Sequence, residues 1–356
     1  MRDSFGRNID YLRISLTDRC NLACRYCTAG EGGGESAPSV RATDVTGPAE
    51  KSGAGETGPG SDGGFCRKEG YLTREEILRL ASLLVKSGIK RIRLTGGEPL
   101  IRHDTPELVS SLKKLEGLKD VSLTTNGVLL PEYARALKRA GIGSINISLD
   151  TCDEETFEMI TGRYMLREVQ KGIEAVMEAG IDYKINCVPM RGINEKDLPD
   201  IAAMARDGTG PVRFIELMPI GCGRSYEMIP ADEVLHTLEA VYGSAKKLSG
   251  KKEDLCRGPA VYYRFRGFRE KVGLISAMSE SFCSGCNRIR LTSDGFLKLC
   301  LGHSAGVDLR GPMRDGAGDG ELCKLIKGAV MKKPAEHGFI TGSEDPETKR
   351  MIRIGG

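Results

Sequence analysis

Short β-branched segments alternate with longer amphipathic segments through the first two thirds of the chain. Val, Ile and Thr favour extended backbone, and the segments rich in them predict strands. The predicted strands are 11–16, 91–95, 121–125, 144–149, 183–188 and 212–217. The helix-period segments between them are 73–86, 106–115, 131–140, 166–179 and 198–205. Repetition of strand, helix and strand requires parallel strands joined by right-handed crossovers, so the chain is predicted to be an α/β protein.

Six strand-helix units are fewer than the eight of a closed (β/α) barrel. The pattern therefore predicts either a partial barrel or an open doubly wound sheet, and both folds place ligands at the carboxyl ends of the strands. The residues at these strand ends should surround one cavity. They are Arg13, Thr17, 96–99, 124–127, Ser148, Asp150, 184–189, Glu216 and Met218.

Two parts of the chain depart from this alternation. Residues 30–64 contain eleven glycines in 35 positions and no Ile, Leu, Met, Phe, Tyr or Trp, so they are predicted to be a disordered glycine-rich insertion. After Met218 the repeat ends, and the remaining chain has its own cysteines. We therefore expect a barrel from 1–29 and 65–220, and a C-terminal region from 221–356.

Charge and hydropathy exclude several functional classes. The net charge of +3 is too small for the dense positive field of a duplex-binding protein, so no nucleic acid partner is expected. No apolar segment approaches membrane-spanning length and the first residues lack an apolar signal segment, which predicts a cytoplasmic protein with no membrane contact. Twelve cysteines in such a chain indicate metal binding more than disulfides.

Cys20, Cys24 and Cys27 form the first cysteine cluster, directly after the first predicted strand. Thiolates are soft ligands that suit zinc or an iron–sulfur cluster. Half of a zinc knuckle is one interpretation of this spacing. However, no second Cys or His pair follows at zinc-finger distance, and the position at a strand end favours a catalytic cluster.

The first cluster, with Tyr26 before its last thiol and Gly96-Gly97-Glu98-Pro99 after the second strand, resembles the radical S-adenosylmethionine (SAM) superfamily. The resemblance implies a partial (βα)6 TIM-like barrel. It also implies that the three cysteines bind a [4Fe-4S] cluster whose fourth iron binds SAM, which is cleaved to a 5′-deoxyadenosyl radical. Thr28 departs from the family pattern, which usually has Met after the last cysteine.

Cys283, Cys286 and Cys300 form the second cysteine cluster. Together with 287–295 between them, and with matches at 5–7, 14–20, 94–102, 146–150, 214–219 and 355–356, they resemble the GTP 3′,8-cyclase family of molybdenum cofactor biosynthesis. The resemblance implies a second [4Fe-4S] cluster, carried by an irregular C-terminal lobe, whose open iron faces guanine. From spacing alone, His303 could instead complete a Cys3His zinc site.

The resemblance implies an activity and a set of site residues. The radical would remove the ribose 3′ hydrogen of GTP, and C3′ would then bond to C8 of guanine. Addition of one electron and one proton would give 3′,8-cyclo-7,8-dihydro-GTP. The implied GTP contacts are Arg13, Arg93, Thr124, Lys184, Arg288, Ile289 and Arg290. The implied SAM contacts are Tyr26, Gly97, Ser148 and Met218, and the terminal Gly355 and Gly356 would assist catalysis.

The resemblance also implies partners. An electron donor such as flavodoxin or ferredoxin would supply electrons, cyclic pyranopterin monophosphate synthase would receive the product, and a homodimer would be consistent with the family. Two alternatives remain at this stage: a two-cluster peptide maturase, and a zinc-stapled nucleotide-binding module without chemistry. The other six cysteines have no ligand spacing and are expected to be free thiols: Cys66, Cys152, Cys187, Cys222, Cys256 and Cys323.

Overall fold

The α/β alternation builds the centre of one sheet. A computed structural model describes residues 1–28, 70–248, 258–339 and 346–355. The six predicted strands are present as β1 (Tyr11–Ser15), β2 (Arg91–Thr95), β3 (Asp120–Thr125), β4 (Ser144–Ser148), β5 (Tyr183–Cys187) and β6 (Val212–Ile215). Each pairs in parallel with the next. The predicted α/β fold with parallel strands is confirmed.

The helices that connect these strands are α1 (Arg25–Thr28), α2 (Arg74–Lys86), α3 (Thr105–Lys113), α4 (Leu130–Ala140), α5 (Glu154–Thr161), α6 (Leu166–Glu178) and α7 (Leu198–Asp207). Five of them, α2, α3, α4, α6 and α7, follow the predictions, whereas the short α1 was not predicted. Thr73 and Glu76 form a capping box at the start of α2. Helix α5 was not predicted, although Asp153 caps its first turn and the left-handed Gly162 ends it.

The C-terminal region adds strands to both edges of the same sheet. Its elements are α8 (Ala231–Tyr242), β7 (Lys246–Lys247), β8 (Val261–Arg264), β9 (Val272–Ile275), β10 (Arg288–Leu291), β11 (Phe296–Lys298), β12 (Gly306–Asp308), α9 (Arg310–Arg314), α10 (Asp319–Met331) and α11 (Met351–Ile354). The strand order is β12-β11-β10-β1-β2-β3-β4-β5-β6-β9-β8-β7. Strand β10 is parallel to β1 and β9 is parallel to β6, a continuation that the sequence analysis did not predict.

Side-chain alternation separates a hydrophobic core from a polar interior. On β1, Leu12 and Ile14 are fully buried in the main hydrophobic cluster, as are Ile92 and Leu94 on β2. The residues between them point to the opposite face of the sheet, since successive side chains of a strand alternate. Arg13 lies on that opposite face, where the site is built.

Several sequence-based predictions fall outside the described residues. The glycine-rich insertion at 30–64, Cys66, Cys256 and Gly356 are among them. Within the residues that the structure describes, all ten cysteines are thiols rather than disulfides. No helix in this part of the chain is long and apolar enough to cross a membrane.

Candidate active site

The first cysteine loop joins β1 to α1. Cys20 lies close to the end of β1, and its sulfur accepts hydrogen bonds from Leu22 N at 3.4 Å and from Asn126 Nδ2 at 3.6 Å. The backbone N–H of Cys27 donates to the carbonyl oxygen of Cys24 at 2.9 Å, which closes the short helical turn. The loop therefore presents its three thiols at the carboxyl end of the parallel strands, as predicted.

Burial dominates the ionisation of these thiols. It raises the pKa of Cys20 and of Cys27 to about 12 and raises the pKa of Cys24 well above its ordinary value. The neighbouring thiols oppose ionisation further, because each would place a second negative charge near the first. A metal binds thiolates, so loading of this loop must release protons.

A small cavity of about 30 Å³ lies beside the first cysteine loop. Cys24, Tyr26, Ser148 and Asp150 are among its lining residues. The Tyr26 hydroxyl donates to Asp150 Oδ2 at 2.8 Å, while burial raises the pKa of Asp150 to about 6. Two of the four predicted SAM contacts, Tyr26 and Ser148, are thus brought together at one cavity.

Gly97 lies against the same loop and has no room for a side chain. A Cβ atom at this position would lie 2.0 Å from the carbonyl oxygen of Arg19. Gly97 N also donates to Thr17 O at 2.7 Å. Glycine is therefore required here by a close backbone approach, beside the residue that precedes Cys20.

Glu98, beside Gly97, links the first cysteine loop to the end of β3. Its carboxylate accepts hydrogen bonds from Thr125 Oγ1 at 2.8 Å, Asn126 N at 2.8 Å and Leu100 N at 3.0 Å. Asn126 in turn contacts the sulfur of Cys20. Glu98 thus orders the residues behind the first loop, a role that the sequence analysis did not assign.

Met218 follows β6 and is half-buried. Gly223 lies between it and the first loop, because a Cβ at Gly223 would lie 2.7 Å from Met218 O and 3.7 Å from Tyr26 O. The third and fourth predicted SAM contacts, Gly97 and Met218, therefore both flank the loop that carries Cys24 and Cys27. Glu216, another strand-end residue, instead accepts hydrogen bonds from Ala231 N, Met278 N and Ser279, and so has a structural role.

Two buried cations hold the second cysteine loop, a name we use for the turn of Cys283 and Cys286 together with the turn after β11 that carries Cys300. Arg7 donates to Cys283 O at 3.0 Å, to Ala335 O at 2.7 Å and to Pro334 O at 2.6 Å. Lys333 donates to Arg288 O at 3.0 Å and to Leu299 O, the neighbour of Cys300. Both side chains therefore tie the backbone beside the ligand positions to the rest of the C-terminal region.

Cys286 and Cys20 have opposite electrostatic environments. Burial opposes ionisation of Cys286, yet the positive charges of Lys333, Arg288 and Arg7 outweigh it and lower the pKa of this thiol. Around Cys20, burial and the neighbouring carboxylate of Glu98 both raise the pKa. The surroundings of Cys286 therefore favour its thiolate, whereas those of Cys20 oppose one.

Three arginines lie side by side on the polar face of neighbouring parallel strands. Arg13 on β1 is in register with Arg93 on β2 and with Arg290 on β10. We call these three residues the arginine row. Burial and the charge of Arg290 lower the pKa of Arg13 well below its ordinary value, and burial lowers that of Arg290 to about 10. Like charges so arranged attract an anion.

The other predicted GTP contacts extend this row. Arg93 Nη1 donates to Thr124 Oγ1 at 3.4 Å, and Thr124 is in register with Asn146, which is in register with Lys184. Arg288 is opposite Tyr11 on β1. Ile289 differs, because its side chain is buried in the hydrophobic core. Only its backbone remains available for the predicted GTP contact.

Tyr11 and Arg213 add to the polar interior and were not predicted. Arg93 Nε donates to the Tyr11 hydroxyl at 2.5 Å. Burial opposes ionisation of Tyr11, but the charges of Arg93 and Arg13 outweigh it and lower the pKa. Arg213 on β6 donates to Asn186 Oδ1 at 2.9 and 2.6 Å. Period-two alternation along β1 and β6 was the available signal, since both residues share a face with predicted contacts.

Gly355 reaches the arginine row. Its carbonyl oxygen accepts a hydrogen bond from Arg290 Nη1. Its φ of 77° is left-handed, and a Cβ here would lie 3.0 Å from Ser15 Cβ and from Thr95 Oγ1. The conformation and the tight approach both require glycine, so this tail residue is part of the polar interior.

The cysteine clusters provide the soft thiol ligands of an iron–sulfur cluster. A Cys3His zinc site at the second cluster would also need His303, with every ligand atom about 2.0–2.3 Å from the zinc. His303, the candidate fourth ligand, places Nε2 3.1 Å from the carbonyl oxygen of Glu336. The three thiols of each cluster remain, and thiolates are the ligands that hold iron–sulfur clusters.

Comparisons with known proteins match both halves of the chain. A Radical SAM superfamily model matches residues 14–205, and a Molybdenum Cofactor Synthesis C model matches residues 211–339. Proteins named GTP 3′,8-cyclase are 38% identical in Clostridium perfringens and 41% identical in Moorella thermoacetica, over the full length of both chains. The structure of Streptococcus suis SuiB bound to SAM has a TM-score of 0.55 at 12% identity, over 92% of this chain and 72% of SuiB, which indicates a shared fold.

Proposed function

Because the chain belongs to the GTP 3′,8-cyclase family of radical SAM enzymes, we propose that the interior between its two cysteine loops is the chamber in which GTP is cyclised. The chain is an enzyme of molybdenum cofactor biosynthesis that uses two [4Fe-4S] clusters and SAM. The arginine row carries the proposal, since it places three cations in register on one face of three adjacent strands.

Each cysteine cluster would hold one [4Fe-4S] cluster. Cys20, Cys24 and Cys27 would bind the first. When bound, this cluster and SAM supply the one-electron chemistry that generates a 5′-deoxyadenosyl radical, which abstracts the 3′ hydrogen of GTP. The position of Tyr26 and Ser148, which line the same small cavity beside the first loop, supports SAM binding there.

Gly97 and Met218 complete the proposed SAM site. Gly97 lets the backbone after β2 approach the first loop, as its 2.0 Å Cβ clash with Arg19 O demonstrates. Met218 offers an adaptable apolar side chain on the opposite side, next to Gly223. The glycine turn at Gly97 would bind the amino acid end of SAM. The flexible thioether of Met218 would contact its adenine end.

Cys283, Cys286 and Cys300 would bind the second cluster. Arg7 and Lys333 neutralise this loop and would favour an anionic ligand there. Guanine carries nitrogen and oxygen atoms with lone pairs, which would bind the open iron of this cluster. The second loop would therefore orient the base, while the arginine row receives the rest of the nucleotide.

The proposed GTP contacts divide by chemistry. Arg13, Arg93 and Lys184 would bind the phosphates, because guanidinium and ammonium groups stay charged near neutrality and donate to phosphate oxygens. Thr124 supplies a hydroxyl beside Arg93. Arg288 lies next to the second loop and would contact the base side, together with the backbone of Ile289.

Arg290 would act last, as guanine is reduced. A second positive charge at Arg288 lies two residues away on the same strand, so the two could stabilise negative charge that develops on the purine. Gly355, held by Arg290, would close the chamber on this side and exclude water. We propose that Gly356, the next residue of the sequence, assists catalysis in the same way.

Three partners follow from this chemistry. The radical reaction consumes electrons, so we propose a low-potential donor of the flavodoxin or ferredoxin type. The product would pass to cyclic pyranopterin monophosphate synthase. We place the enzyme in the cytoplasm, where GTP and such donors occur, and propose a homodimer. We also propose three parts of the chain: a barrel of 1–29 and 65–220, the glycine-rich insertion of 30–64, and a C-terminal region of 221–356.

One anaerobic experiment tests the function. Reconstituted protein is incubated with SAM, a strong reductant and either GTP or ATP, and 5′-deoxyadenosine and nucleotide products are measured by mass spectrometry. We expect 5′-deoxyadenosine and a product isomeric with GTP only with GTP. The variant Cys24→Ala should form neither, whereas Cys323→Ala, a thiol on α10, should behave like wild type. Equal rates with ATP would contradict the substrate assignment.

The peptide maturase alternative has no independent support. The likeness to SuiB shows the fold alone, and the full-length relatives are named GTP 3′,8-cyclases. The zinc-stapled module predicts zinc and no iron in purified protein, so metal analysis separates it from the proposal.

A further inference from the structure

The last described segment of the chain, residues 346–355, contacts both cysteine loops, and we call it the C-terminal strap. Near the second loop, Glu347 N donates to Gly302 O at 3.1 Å. Near the first loop, Arg350 Nη1 donates to Thr28 O at 3.3 Å. At its end, Gly355 accepts from Arg290. The strap therefore runs from one loop, past the other, into the polar interior.

A buried ion pair fastens the start of the strap. Glu347 Oε2 accepts a hydrogen bond from Lys298 Nζ, and the two side chains are 3% and 2% exposed. Lys298 lies on β11, two residues before Cys300, and also donates to His303 O. The other carboxylate oxygen of Glu347 accepts from Lys349 N at 2.7 Å. Both oxygens of Glu347 are thus engaged.

Because this pair is buried, the position of the strap depends on the contact between Glu347 and Lys298. An unpaired charge inside a protein is strongly unfavourable, so neither Glu347 nor Lys298 can stay in place without the other. Exposed residues surround Glu347 along the strap, among them Pro346, Thr348 and Lys349. Glu347 is therefore the residue at this end of the strap whose side chain is held inside the protein.

A second set of contacts holds the strap between Glu347 and Arg350. Arg224 Nη2 donates to Glu347 O at 2.8 Å while its Nε donates to Pro219 O at 3.1 Å. A Cβ at Gly221 would lie 2.9 Å from Arg350 Cα, so the turn after β6 fits closely under the strap. This turn also packs on α1 of the first cysteine loop.

We propose that Glu347 is a positioning residue whose ion pair with Lys298 fixes the C-terminal strap, so that Gly355 meets Arg290 and docking of the tail depends on the folded second cysteine loop. The two loops are thereby linked mechanically through the strap. The inference rests on the proposed function only in taking the polar interior as the place where GTP reacts.

Hydrogen exchange measured by mass spectrometry tests the ion pair. Anaerobically reconstituted wild type, Glu347→Gln and the matched control Glu321→Gln, an exposed Glu on α10, are compared without SAM or GTP. We expect amides of 351–355 to exchange at least about tenfold faster in Glu347→Gln alone. The iron content should stay at the wild-type value. Unchanged exchange at 351–355 in Glu347→Gln would overturn the proposal, whatever the iron content.

Activity then separates positioning from general stability. We expect kcat to fall in Glu347→Gln while the KM for SAM stays at the wild-type value, since the strap end and not the SAM cavity has moved. A rise in the KM for SAM with kcat unchanged would contradict this. If Glu347→Gln does not fold, Arg224→Ala removes the hydrogen bond of Arg224 to the strap at an exposed site, and faster exchange at 351–355 is expected there too. Unchanged exchange in Arg224→Ala would then overturn the proposal.

The exchange experiment is independent of turnover. If wild type forms no 5′-deoxyadenosine with GTP, the proposed function fails whatever the exchange data show. If wild type is active with GTP and the strap exchanges equally in all variants, only the anchoring role fails.

Discussion

Arg13 and Arg290 occupy opposite positions on two neighbouring parallel strands, and their guanidinium groups point to the same polar face. Burial lowers the pKa of both groups, the charge of Arg290 lowers that of Arg13 further, and the charge of Arg288 lowers that of Arg290 further. Two neighbouring cations repel each other and lower the stability of the ligand-free fold. An anion bound between them would remove this repulsion. The arrangement thus favours ligand binding over stability.

The first prediction follows from this repulsion. Replacing Arg13 with Met removes the central charge of the arginine row, so the free energy of unfolding without GTP should rise by about 1 kcal/mol. The Kd for GTP should rise at least about tenfold, because charge-assisted hydrogen bonds to phosphate are lost. Chemical denaturation and anaerobic calorimetry measure the two quantities. Arg135→Met, at an exposed position on α4, should change neither; lower stability of Arg13→Met would refute the repulsion argument.

The two cysteine clusters should be separable by mutation. Cys24→Ala is expected to lose about half of the bound iron and all 5′-deoxyadenosine formation, because the first cluster activates SAM. Cys286→Ala should also lose about half of the iron but should still cleave SAM slowly without cyclising GTP. Iron analysis and product analysis measure this. Full iron in either variant would show that the mutated thiol is not a ligand.

Arg7 should support the second cluster through its backbone contacts. It forms a buried ion pair with Asp3 at 2.6 Å and holds Cys283 O, Ala335 O and Pro334 O. Arg7→Lys keeps the charge but lacks the guanidinium fork, so stability should fall by about 2–4 kcal/mol. The second cluster should load incompletely. Thermal unfolding and iron content provide the measurements, with Arg2→Lys, an exposed residue of the same segment, as the control.

Gly97 should tolerate no side chain. Gly97→Ala must displace the backbone of Arg19, so binding of SAM should weaken by roughly tenfold or more and the first loop should lose iron. Gly328→Ala is the matched control, since a Cβ meets nothing within 4 Å on α10. It should raise stability by about 0.5–1 kcal/mol. Normal SAM affinity in Gly97→Ala would contradict the close approach.

Glu98 should make stability depend on pH. Burial raises the pKa of its carboxyl from 4.5 to about 7 in the folded protein. Between these values the folded state retains a proton that the unfolded state has lost, so stability should fall as pH rises through that range, by at most about 1.4 kcal/mol per unit. Unfolding by urea from pH 5 to 8 measures this. Glu98→Gln should flatten the profile, and an equal slope in both proteins would exclude Glu98 as the cause.

Much of the fold was predictable from local patterns. The six central strands were located within two residues, because period-two alternation and helix caps such as Thr73 are encoded nearby. Helix α5 was missed although its capping residue Asp153 and its terminating Gly162 are visible in the sequence. The pairing of β10 with β1 had no local signal, since register between distant strands is set by tertiary packing.

The site divides in the same way. The family resemblance brought Arg13, Arg93 and Thr124 into one prediction, strand positions independently supported Arg13 and Thr124, and the three residues lie together. Tyr11 and Arg213 share their face but carry no motif. The contact between Lys298 and Glu347 could not be predicted, because it joins a strand to a tail with no sequence pattern.

The pairing of Tyr11 with Arg288 has a consequence for biosynthesis. A ribosome releases β1 early and β10 near the end, so the outer edge of β1 lacks its neighbour during most of translation. An unpaired edge invites pairing with other chains until β10 arrives. Pairing between distant segments also slows folding. The N-terminal part therefore cannot complete its fold before β10 is synthesised, and chaperones would protect the exposed edge until then.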